Sequence, residues 1–295
     1  MKLSGGPKIS VIMSVYNGMP LGPQSASWRT RTASSAYLRQ AVESIIKQTY
    51  RNFEFIIVDD DSTDETWDYL KSLKDPRVKL IKNKKNLGLA ASLNIALRQV
   101  FDREAQTESA QGDYIARMDA DDISVPDRLK TQIDYLIKNP QIDICGTWVK
   151  LIDENNQIIG TVHKPTNDEK IKKMNIWITG LIHPTWLATR EVFEKLNGYD
   201  THYDMAEDYE FLIRAKNFKM ANINEELLMW RNPQNRRSQK GIERMYRQSL
   251  AIRWKYFLNG DFGIFYLPFL IRSLITTYLF PTKLKIFLNK KFGLI

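Results

Sequence analysis

Four short runs of β-branched and aromatic residues occur in the first half of the chain, and stretches with a helical pattern separate them. These runs predict strands at residues 9–16, 53–58, 78–81 and 114–118. Strands that alternate with helices are typical of an α/β domain, in which right-handed crossovers produce a mostly parallel sheet. We therefore predict an α/β fold with a mostly parallel central sheet flanked by helices.

Helix boundaries follow from capping patterns and from composition. Ser62 with Glu65, and Ser124 with Asp127, have the spacing of a capping box, so we predict that helices begin at the two serines. After Pro140 the pattern is less regular, with one clear strand at 142–151. The other predicted helices lie at 88–100, 167–178 and 206–216.

The fourth predicted strand ends in three carboxylates, Asp119, Asp121 and Asp122. Burying carboxylates together is costly unless a positive charge lies between them. Carboxylate oxygens select Mg²⁺ or Mn²⁺, and open α/β sheets bind ligands at the C-terminal ends of their strands. The segment therefore predicts a Mn²⁺ or Mg²⁺ site, with a solvated acidic turn as the alternative.

A second acidic cluster, Asp59 to Asp61, follows the second predicted strand. Because parallel strands end at the same edge of a sheet, the two clusters can line one cleft. Residues 18–35, rich in Gly, Pro, Ser and Thr, leave the tip of the first strand beside this cleft. They form either a flexible lid or a surface insertion.

Composition excludes several classes of protein. The 295 residues have 43% hydrophobic and 26% charged content, which is ordinary for a globular protein. Cys145 is the only cysteine, so an internal disulfide and a cysteine-rich metal site are excluded. The polar N-terminus precedes an apolar run of strand length only, which is not a signal peptide, so we expect a protein that faces the cytosol.

Positive charge is concentrated near the C-terminus. Residues 231–295 contain 13 Lys+Arg and 2 Asp+Glu, whereas residues 1–230 contain 30 basic and 32 acidic residues. A basic tail can bind nucleic acid, anionic lipid or an acidic partner. We do not expect nucleic acid, because no recognised binding motif accompanies the charge.

Residues 262–280 of this tail are strongly apolar, but Gly263, Pro268 and Arg272 interrupt them. A helix here would have a narrow polar stripe, and lysines follow it. This combination favours a helix in the interface of an anionic membrane. A packed helix pair and a true membrane span are the alternatives, although Arg272 makes a span costly. The stripe comprises Arg272, Ser273, Thr276 and Thr277, and the lysines are Lys283, Lys285, Lys290 and Lys291.

Several motifs occur in a fixed order along residues 8–231. They are the run 9–17, the run 41–50, the run 57–64, Asn86-Leu87-Gly88-Leu89, Asp119-Ala120-Asp121, Pro126-Asp127-Arg128-Leu129 and Glu207-Asp208-Tyr209-Glu210. As an ordered set they resemble the family 2 inverting glycosyltransferases of GT-A fold. The resemblance implies a GT-A domain at 1–231, with a nucleotide-sugar-binding half at about 8–140 and an acceptor-binding half at 141–231. A helical C-terminal extension follows at 232–295.

The same resemblance implies roles for individual residues. Asp208 is expected to act as the general base, and Asp121 with Asp119 is expected to bind the metal. His183 and Glu207 are expected on the acceptor side. The residues expected to bind the nucleotide sugar are Ser14, Tyr16, Asp60, Asp119 and Arg231. A structural histidine is the alternative for His183, and helix capping for Glu207 and Asp208. The sequence departs from the family pattern at Asp61, where a small residue is usual, and in the longer segment 18–35.

These residue types suit sugar transfer. A divalent cation neutralises the charge that a departing diphosphate develops, and a carboxylate can take the proton of an attacking hydroxyl. We predict a metal-dependent inverting enzyme that moves a sugar from a nucleotide donor, expected to be UDP-linked, to a glycan or lipid-linked acceptor. By analogy with the family, the setting is surface-polysaccharide assembly at the inner face of the cell membrane. A sugar-phosphate nucleotidyltransferase and a non-catalytic nucleotide-sugar-binding module are the alternatives.

Overall fold

The computed structural model of the chain describes residues 6–19, 37–102, 113–231, 241–285 and 287. Its strands are β1 Ile9–Val15, β2 Phe53–Asp59, β3 Val78–Lys82, β4 Tyr114–Arg117, β5 Ile123–Ser124, β6 Ile144–Ile152, β7 Ile158–Val162, β8 Leu187–Thr189 and β9 Met220–Arg231. They form a nine-stranded sheet in the order β3-β2-β1-β4-β8-β6-β9-β5, with β7 paired to β6 outside this path. One continuous sheet therefore connects the two halves of the domain.

Strands β1 to β4 confirm the predicted parallel sheet. β1 lies between β2 and β4 and runs parallel to both, and β3 pairs parallel with β2. Ile9, Val11, Ile12 and Met13 of β1 are completely buried, as expected for a parallel strand covered on both faces. The C-terminal ends of β1, β2 and β4 therefore lie at one edge of the sheet.

The second half adds strands of mixed direction, which the sequence pattern did not predict in full. β8 pairs antiparallel with both β4 and β6, and β6 pairs parallel with β9. The two-residue strand β5 pairs antiparallel with the end of β9, where Ile123 lies opposite Met229. This pairing brings the end of β9 beside the acidic segment that follows β4.

Helices cover both faces of the sheet. In the described residues they are α1 Tyr37–Ile46, α2 Thr66–Ser72, α3 Leu89–Phe101, α4 Arg128–Lys138, α5 Asp168–Asn175, α6 Arg190–Lys195, α7 Glu207–Arg214, α8 Ile242–Leu258 and α9 Leu267–Leu279. Val42 of α1 and Leu129 of α4 pack in one hydrophobic layer. Leu93 of α3 and Phe211 of α7 pack in another. The predicted α/β architecture is thus confirmed.

Two predicted helix starts are wrong. Helix α2 begins at Thr66 and not at Ser62, whose hydroxyl accepts a hydrogen bond from the backbone N–H of Asn17 at 2.9 Å. Helix α4 begins at Arg128, and Ser124 lies in β5. In both places a serine that could cap a helix instead contacts a distant part of the chain. The spacing of residues along the sequence cannot show such long-range contacts.

The C-terminal helices pack on the second half of the domain. Ile252 and Tyr256 of α8 pack against Tyr209 and Ile213 of α7. Helix α9 packs on α8, where Arg253 Nη1 donates to Ser273 Oγ at 2.6 Å. The predicted helical extension is therefore present. Within the described part of the chain, no helix is both long enough and apolar enough to cross a membrane.

The predicted lid or insertion at residues 18–35 is described only at its beginning. The backbone N–H of Gly18 donates to Thr66 Oγ1 at 2.9 Å, and that of Met19 donates to an Asp64 carboxylate oxygen at 2.9 Å. These bonds attach the segment to the start of α2. Residues 20–35 lie outside the described residues, so both interpretations of this segment stay open.

Candidate active site

The turn after β4 brings three carboxylates together. Asp119, Asp121 and Asp122 each place one oxygen within 4.8 Å of the others. Asp119 and Asp121 are half-buried, whereas Asp122 is 1% exposed. Oxygen donors at this spacing fit Mn²⁺ or Mg²⁺, which takes one or two protein carboxylates and completes its shell with phosphate and water. Asp119 and Asp121 are the accessible members of the cluster.

Arg117, the last residue of β4, links this turn to α7. Its buried guanidinium forms an ion pair with Asp119. Burial alone would lower the pKa of Arg117, but the charges of Asp119 and, further away, Glu207 raise it above the ordinary value. A fixed cation therefore lies among the carboxylates and reduces the cost of gathering them.

Arg231, the last residue of β9, stabilises the acidic turn. Its backbone N–H donates to Asp122 Oδ1 at 2.8 Å, and its Nε donates to the Asp121 carbonyl at 2.8 Å. Its guanidinium also lies 4.0 Å above the ring of Tyr37, and the residue is fully buried. These contacts give Arg231 a positioning role that the sequence did not predict. Its predicted contact with the diphosphate stays a prediction.

A second buried cation, Arg128, contacts the strand that ends in the acidic turn. Arg128 Nη1 donates to the Pro184 carbonyl at 2.6 Å and to the Arg117 carbonyl at 3.3 Å. Burial lowers the pKa of Arg128 to about 10, although the charge of Asp122 opposes the shift. Arg128 belongs to the motif Pro126-Asp127-Arg128-Leu129, but the sequence pattern assigned no role to either arginine. A charged residue inside the apolar run of β4 was the signal that could have found Arg117.

Asp208 lies half-buried in the first turn of α7. Its Oδ1 accepts a hydrogen bond from the Tyr209 backbone N–H at 2.7 Å. Burial raises the pKa of Asp208, the Tyr209 N–H and Arg117 oppose that shift, and Asp119 adds to it. Asp208 and Asp119 therefore lie close enough to Arg117, and to each other, to interact electrostatically. A carboxylate with a raised pKa in such a cluster suits a general base.

Lys164, which follows β7, is a further charged neighbour of Asp208. Burial lowers the pKa of Lys164, and the carboxylate of Asp208 opposes this shift. The charges of the Lys164 ammonium group and the Asp208 carboxylate therefore act on each other. Lys164 could not be identified from the sequence, because it follows a different element and has no motif around it.

Asp60, predicted to hold the nucleotide, has a structural role in addition. Its carboxylate accepts hydrogen bonds at 2.8 Å from Asn83 Nδ2 and from the backbone N–H groups of Leu87 and Gly88. It is 2% exposed. Asp60 thus fixes the segment that precedes α3 against the tip of β2. Direct contact with the nucleotide stays a prediction.

The backbone conformation of the neighbouring Asp61 explains how an aspartate can occupy a position where the family usually has a small residue. It has a φ of 64°, in the left-handed region that favours glycine. Aspartate adopts this region more readily than most residues, because its short side chain can hydrogen-bond locally. The small residue that is usual at this position in the family therefore fits the backbone conformation observed here, and Asp61 can replace it.

The two remaining nucleotide-binding candidates lie at the C-terminal end of β1. Ser14 is half-buried and pairs with Val58 of β2. Tyr16 is 52% exposed and follows Val15, which pairs with Asp59. Both therefore lie at the edge of the sheet where the acidic turn is found, as predicted from the parallel order of the strands. Their contact with a nucleotide stays a prediction.

The two acceptor-side candidates are buried. His183 Nε2 lies 2.9 Å from the hydroxyl of Tyr199, and its ring packs against Trp186. Burial, together with the charge of Arg117, holds the pKa of His183 well below its ordinary value. Glu207 is 7% exposed and acts on Arg117 from the start of α7. These contacts favour structural roles near the site, and acceptor binding stays a prediction for both.

A cavity of about 790 Å³ opens beside Asp208, and we call it the tail cavity. Its walls come from α5 and the segment after it, from the start of α7, and from α8 and α9. The C-terminal helices thus form part of a pocket that reaches the proposed base. The tail cavity is lined by Lys170, Lys173, Met174, Trp177, Ile178, Thr179, Met205, Ala206, Asp208, Tyr209, Met245, Tyr246, Ser249, Arg253, Tyr266, Phe269, Arg272, Ser273, Thr276, Phe280 and Lys285.

Residues 10–197 match the sequence model of glycosyl transferase family 2. The match spans more than half of the chain and includes nearly all of β1, strands β2 to β8 and the acidic turn, whereas β9 lies beyond it. The protein therefore belongs to glycosyl transferase family 2 and is a glycosyltransferase. The resemblance found in the sequence is confirmed.

Two relatives support the assignment. The uncharacterized glycosyltransferase MJ1057 of Methanocaldococcus jannaschii is 34% identical over 259 residues, which cover 84% of this chain and 80% of that protein. The O-antigen biosynthesis glycosyltransferase WbnJ of Escherichia coli is 32% identical over 205 residues, which cover 66% of this chain and 74% of that protein.

Solved structures of glycosyltransferases share the fold. S. aureus TarS 1-349 in complex with UDP-GlcNAc has a TM-score of 0.60 and 18% identity over 83% of this chain and 65% of that one. The mannosyltransferase PcManGT from Pyrobaculum calidifontis, in complex with GDP-Man and Mn²⁺, has a TM-score of 0.60 and 18% identity. The alignment covers 92% of this chain and 70% of that one. At this identity the likeness shows the fold, and the predicted GT-A architecture is confirmed. The chain spans about two thirds of the TarS fragment.

Proposed function

We propose that this glycosyltransferase is metal-dependent and inverting, and that it uses a nucleotide sugar and an acceptor hydroxyl. The observation that carries the proposal is the ion pair between Arg117 and Asp119 at the acidic turn, with Asp208 of α7 near enough for both charges to act on its pKa. In this arrangement Asp208 would serve the acceptor and the acidic turn would serve the donor diphosphate. Positioning of this kind lowers the barrier by replacing an encounter in solution with a bound geometry.

On the donor side, Asp119 and Asp121 would hold a Mn²⁺ or Mg²⁺ ion against the diphosphate. Such an ion neutralises negative charge on a leaving diphosphate as a Lewis acid. The ion pair between Arg117 and Asp119 keeps the Asp119 carboxylate oriented, and the bond from Arg231 to the Asp121 carbonyl fixes the turn. Ser14 and Tyr16 would contact the nucleoside at the tip of β1.

On the acceptor side, Asp208 takes the proton of the hydroxyl as its oxygen attacks the anomeric carbon. The bond from that carbon to the diphosphate breaks on the opposite face, and its electron pair leaves with the nucleoside diphosphate. One displacement of this kind inverts the configuration at the carbon. The raised pKa of Asp208 makes it a better proton acceptor than an exposed aspartate.

For the substrates, we propose a UDP-linked donor and a glycan or lipid-linked acceptor in surface-polysaccharide assembly. TarS, which shares the fold, binds UDP-GlcNAc, and WbnJ, which shares 32% of aligned residues, is named for O-antigen biosynthesis. The ligand of TarS supports a UDP-linked donor, and the name of WbnJ supports a role in surface-polysaccharide assembly. The tail cavity beside Asp208 gives such an acceptor a place next to the base.

Thermal stabilisation by nucleotide sugars tests this proposal. With Mn²⁺ present, a UDP-sugar should raise the melting temperature, because a ligand at 100 times its Kd adds about 2.7 kcal/mol to the free energy of unfolding. GDP-mannose and a sample with EDTA are the comparisons. Release of UDP from the stabilising sugar then separates an enzyme from a binding module. Absence of stabilisation by every nucleotide sugar would contradict the proposal.

We further propose that α9 attaches the enzyme to the cytosolic face of the cell membrane. Its polar residues Ser273 and Thr277 are buried, whereas Leu279 is 74% exposed and Phe265, just before the helix, is 90% exposed. Although Leu270 is buried, much of the apolar surface of this helix faces outward, whereas an ordinary surface helix turns its apolar side to the core. Apolar residues facing outward next to lysines suit insertion into an anionic membrane surface.

Liposome flotation tests the attachment. Replacing both Phe265 and Leu279 with Glu should lower affinity for anionic vesicles about 100-fold or more, because each large apolar side chain contributes about 1.5–3 kcal/mol on leaving water. The matched control replaces Ile158 and Ile159 of β7, which are 58% and 55% exposed, with Glu. If the first double variant floats as well as the control, α9 is not the attachment surface.

A further inference from the structure

The cationic residues that line the tail cavity outnumber its acids. Lys170, Lys173, Arg253, Arg272 and Lys285 belong to the lining, and Asp208 is the one acidic residue among the described lining residues. The lining therefore carries more positive than negative charge, and its one carboxylate is that of the proposed base. Such a field favours an anionic ligand over a neutral one.

Two of these cations are already neutralised. Lys173 Nζ lies 2.7 Å from Glu169 Oε1, and Lys285 Nζ lies 2.7 Å from Glu243 Oε2. In the described part of the chain, Lys170 and Arg272 form no ion pair, and both are exposed to solvent. Exposed lysine and arginine side chains without an ion pair can bind an anionic ligand.

Arg253 is held in place by neutral groups. Its Nε donates to the Tyr209 hydroxyl at 3.2 Å, its Nη1 donates to the Ser273 hydroxyl at 2.6 Å, and its Nη2 donates to the Trp177 carbonyl. Arg253 has no carboxylate partner among the described residues. Its guanidinium therefore belongs to the cavity lining in a fixed position, and no carboxylate compensates its charge. An oriented guanidinium is well suited to bind phosphate oxygens.

The remaining lining is largely aromatic and apolar. Trp177 and Phe269 pack edge to face with ring centroids 4.0 Å apart, and Tyr266, Phe280 and Met245 extend the same surface. A purely carbohydrate ligand would leave much of this apolar surface without a partner. A ligand that joins a charged group to an apolar chain would use both parts of the lining.

We propose that the tail cavity binds an acceptor in which a phosphate or diphosphate connects the sugar to an apolar chain. Arg253, with Lys170 and Arg272, binds the phosphate, and the apolar chain lies on the aromatic wall. This inference rests on the proposed function and names the acceptor class for it. The sugar end then reaches Asp208, which lines the same cavity.

The position of α9 supports the same orientation. Phe269, Arg272 and Thr276 face the cavity, whereas Ile275 and Tyr278 of the same helix are exposed, at 41% and 62%. The helix thus separates the cavity from the surface proposed to meet the membrane. An apolar chain leaving the cavity past α9 would pass directly into lipid.

Calorimetry on the full chain tests the inference with three probes: farnesyl diphosphate below its micelle concentration, farnesol and inorganic pyrophosphate. EDTA is present and nucleotide is absent, so that the metal-dependent donor site does not contribute. Farnesyl diphosphate should bind at least about tenfold more tightly than either other probe. Arg253→Gln should weaken its binding at least about tenfold, as expected for loss of charge-assisted hydrogen bonds.

Arg244→Gln is the matched control, because Arg244 lies on α8, is paired with Asp204 and does not line the cavity. Lys170→Gln is a second test variant at an exposed position, where loss of folding is not expected. Binding of UDP with Mn²⁺ reports the folding of every variant and tests the donor site separately.

Three results would overturn the inference: no binding of farnesyl diphosphate, equal binding of pyrophosphate alone, or affinities that Arg253→Gln and Lys170→Gln leave unchanged. Equal binding of pyrophosphate would identify a free-anion site instead of a lipid site. If farnesyl diphosphate binds as expected but no nucleotide sugar binds or turns over, the proposed function fails and the cavity assignment stands.

Discussion

Asp208→Asn should slow sugar transfer at least about 100-fold and leave nucleotide-sugar binding intact. Asparagine keeps the shape of the side chain, and its oxygen can still accept the hydrogen bond from the Tyr209 N–H. Its amide, however, cannot take a proton from the acceptor hydroxyl. General-base catalysis typically contributes about 10²–10⁴-fold in rate, so kcat should fall by a factor in this range. Calorimetry with Mn²⁺ should give an unchanged Kd for the donor.

The matched control is Asp134→Asn, because the side chain of Asp134 on α4 is 44% exposed and forms a surface ion pair with Lys130. Such pairs contribute little to stability, so turnover should equal that of the wild type. A pH profile gives a second readout. The base acts when deprotonated, and its pKa is raised, so the wild-type rate should fall on acidification already above the pKa of an exposed aspartate, about 3.9. Near-normal turnover by Asp208→Asn would remove this residue from the mechanism.

Asp121→Ala should remove the metal dependence of donor binding. Its carboxylate is an accessible member of the acidic cluster, whereas its backbone carbonyl accepts the bond from Arg231, which the variant retains. The turn should therefore keep its shape while it loses one ligand. Partners of metal ligands typically contribute 10–100-fold to affinity or activity, so loss of a ligand should weaken Mn²⁺-dependent UDP binding about 100-fold or more.

The measurement is a calorimetric titration of UDP with and without Mn²⁺. Asp68→Ala is the control, because Asp68 is exposed on α2 and pairs only with Lys71 among its described ion-pair contacts. Its donor affinity should match that of the wild type under both conditions. If wild-type protein binds UDP equally well with Mn²⁺ and with EDTA, the metal-ligand role of Asp121 is wrong.

Local sequence patterns predicted the parallel half of the fold well. Strands β1, β2 and β4 are largely buried, so each is a mostly apolar run that stands out between polar segments. The acidic cluster was also predictable, because Asp119 and Asp121 are two residues apart and follow such a strand. Neighbouring residues in the sequence need only a short turn to meet.

The rest of the site depends on contacts between distant parts of the chain. Arg117 and Asp208 are more than 90 residues apart, and β8 and β9 bring their elements together through pairings that no local period indicates. Asp60 illustrates the same limit, because its partners at Asn83 and Gly88 follow the next strand. The two wrong helix starts have the same cause, because the hydroxyls of Ser62 and Ser124 form long-range hydrogen bonds and do not cap a helix.

The tail cavity draws much of its lining from residues 205–285, whereas the family match ends at residue 197. Mutations in the two C-terminal helices can therefore change which acceptor fits while the donor half keeps its chemistry. Natural selection would then have two separable units to vary within one polypeptide. Paralogues that exchange only this terminal segment would be expected to build different glycans from the same activated sugar.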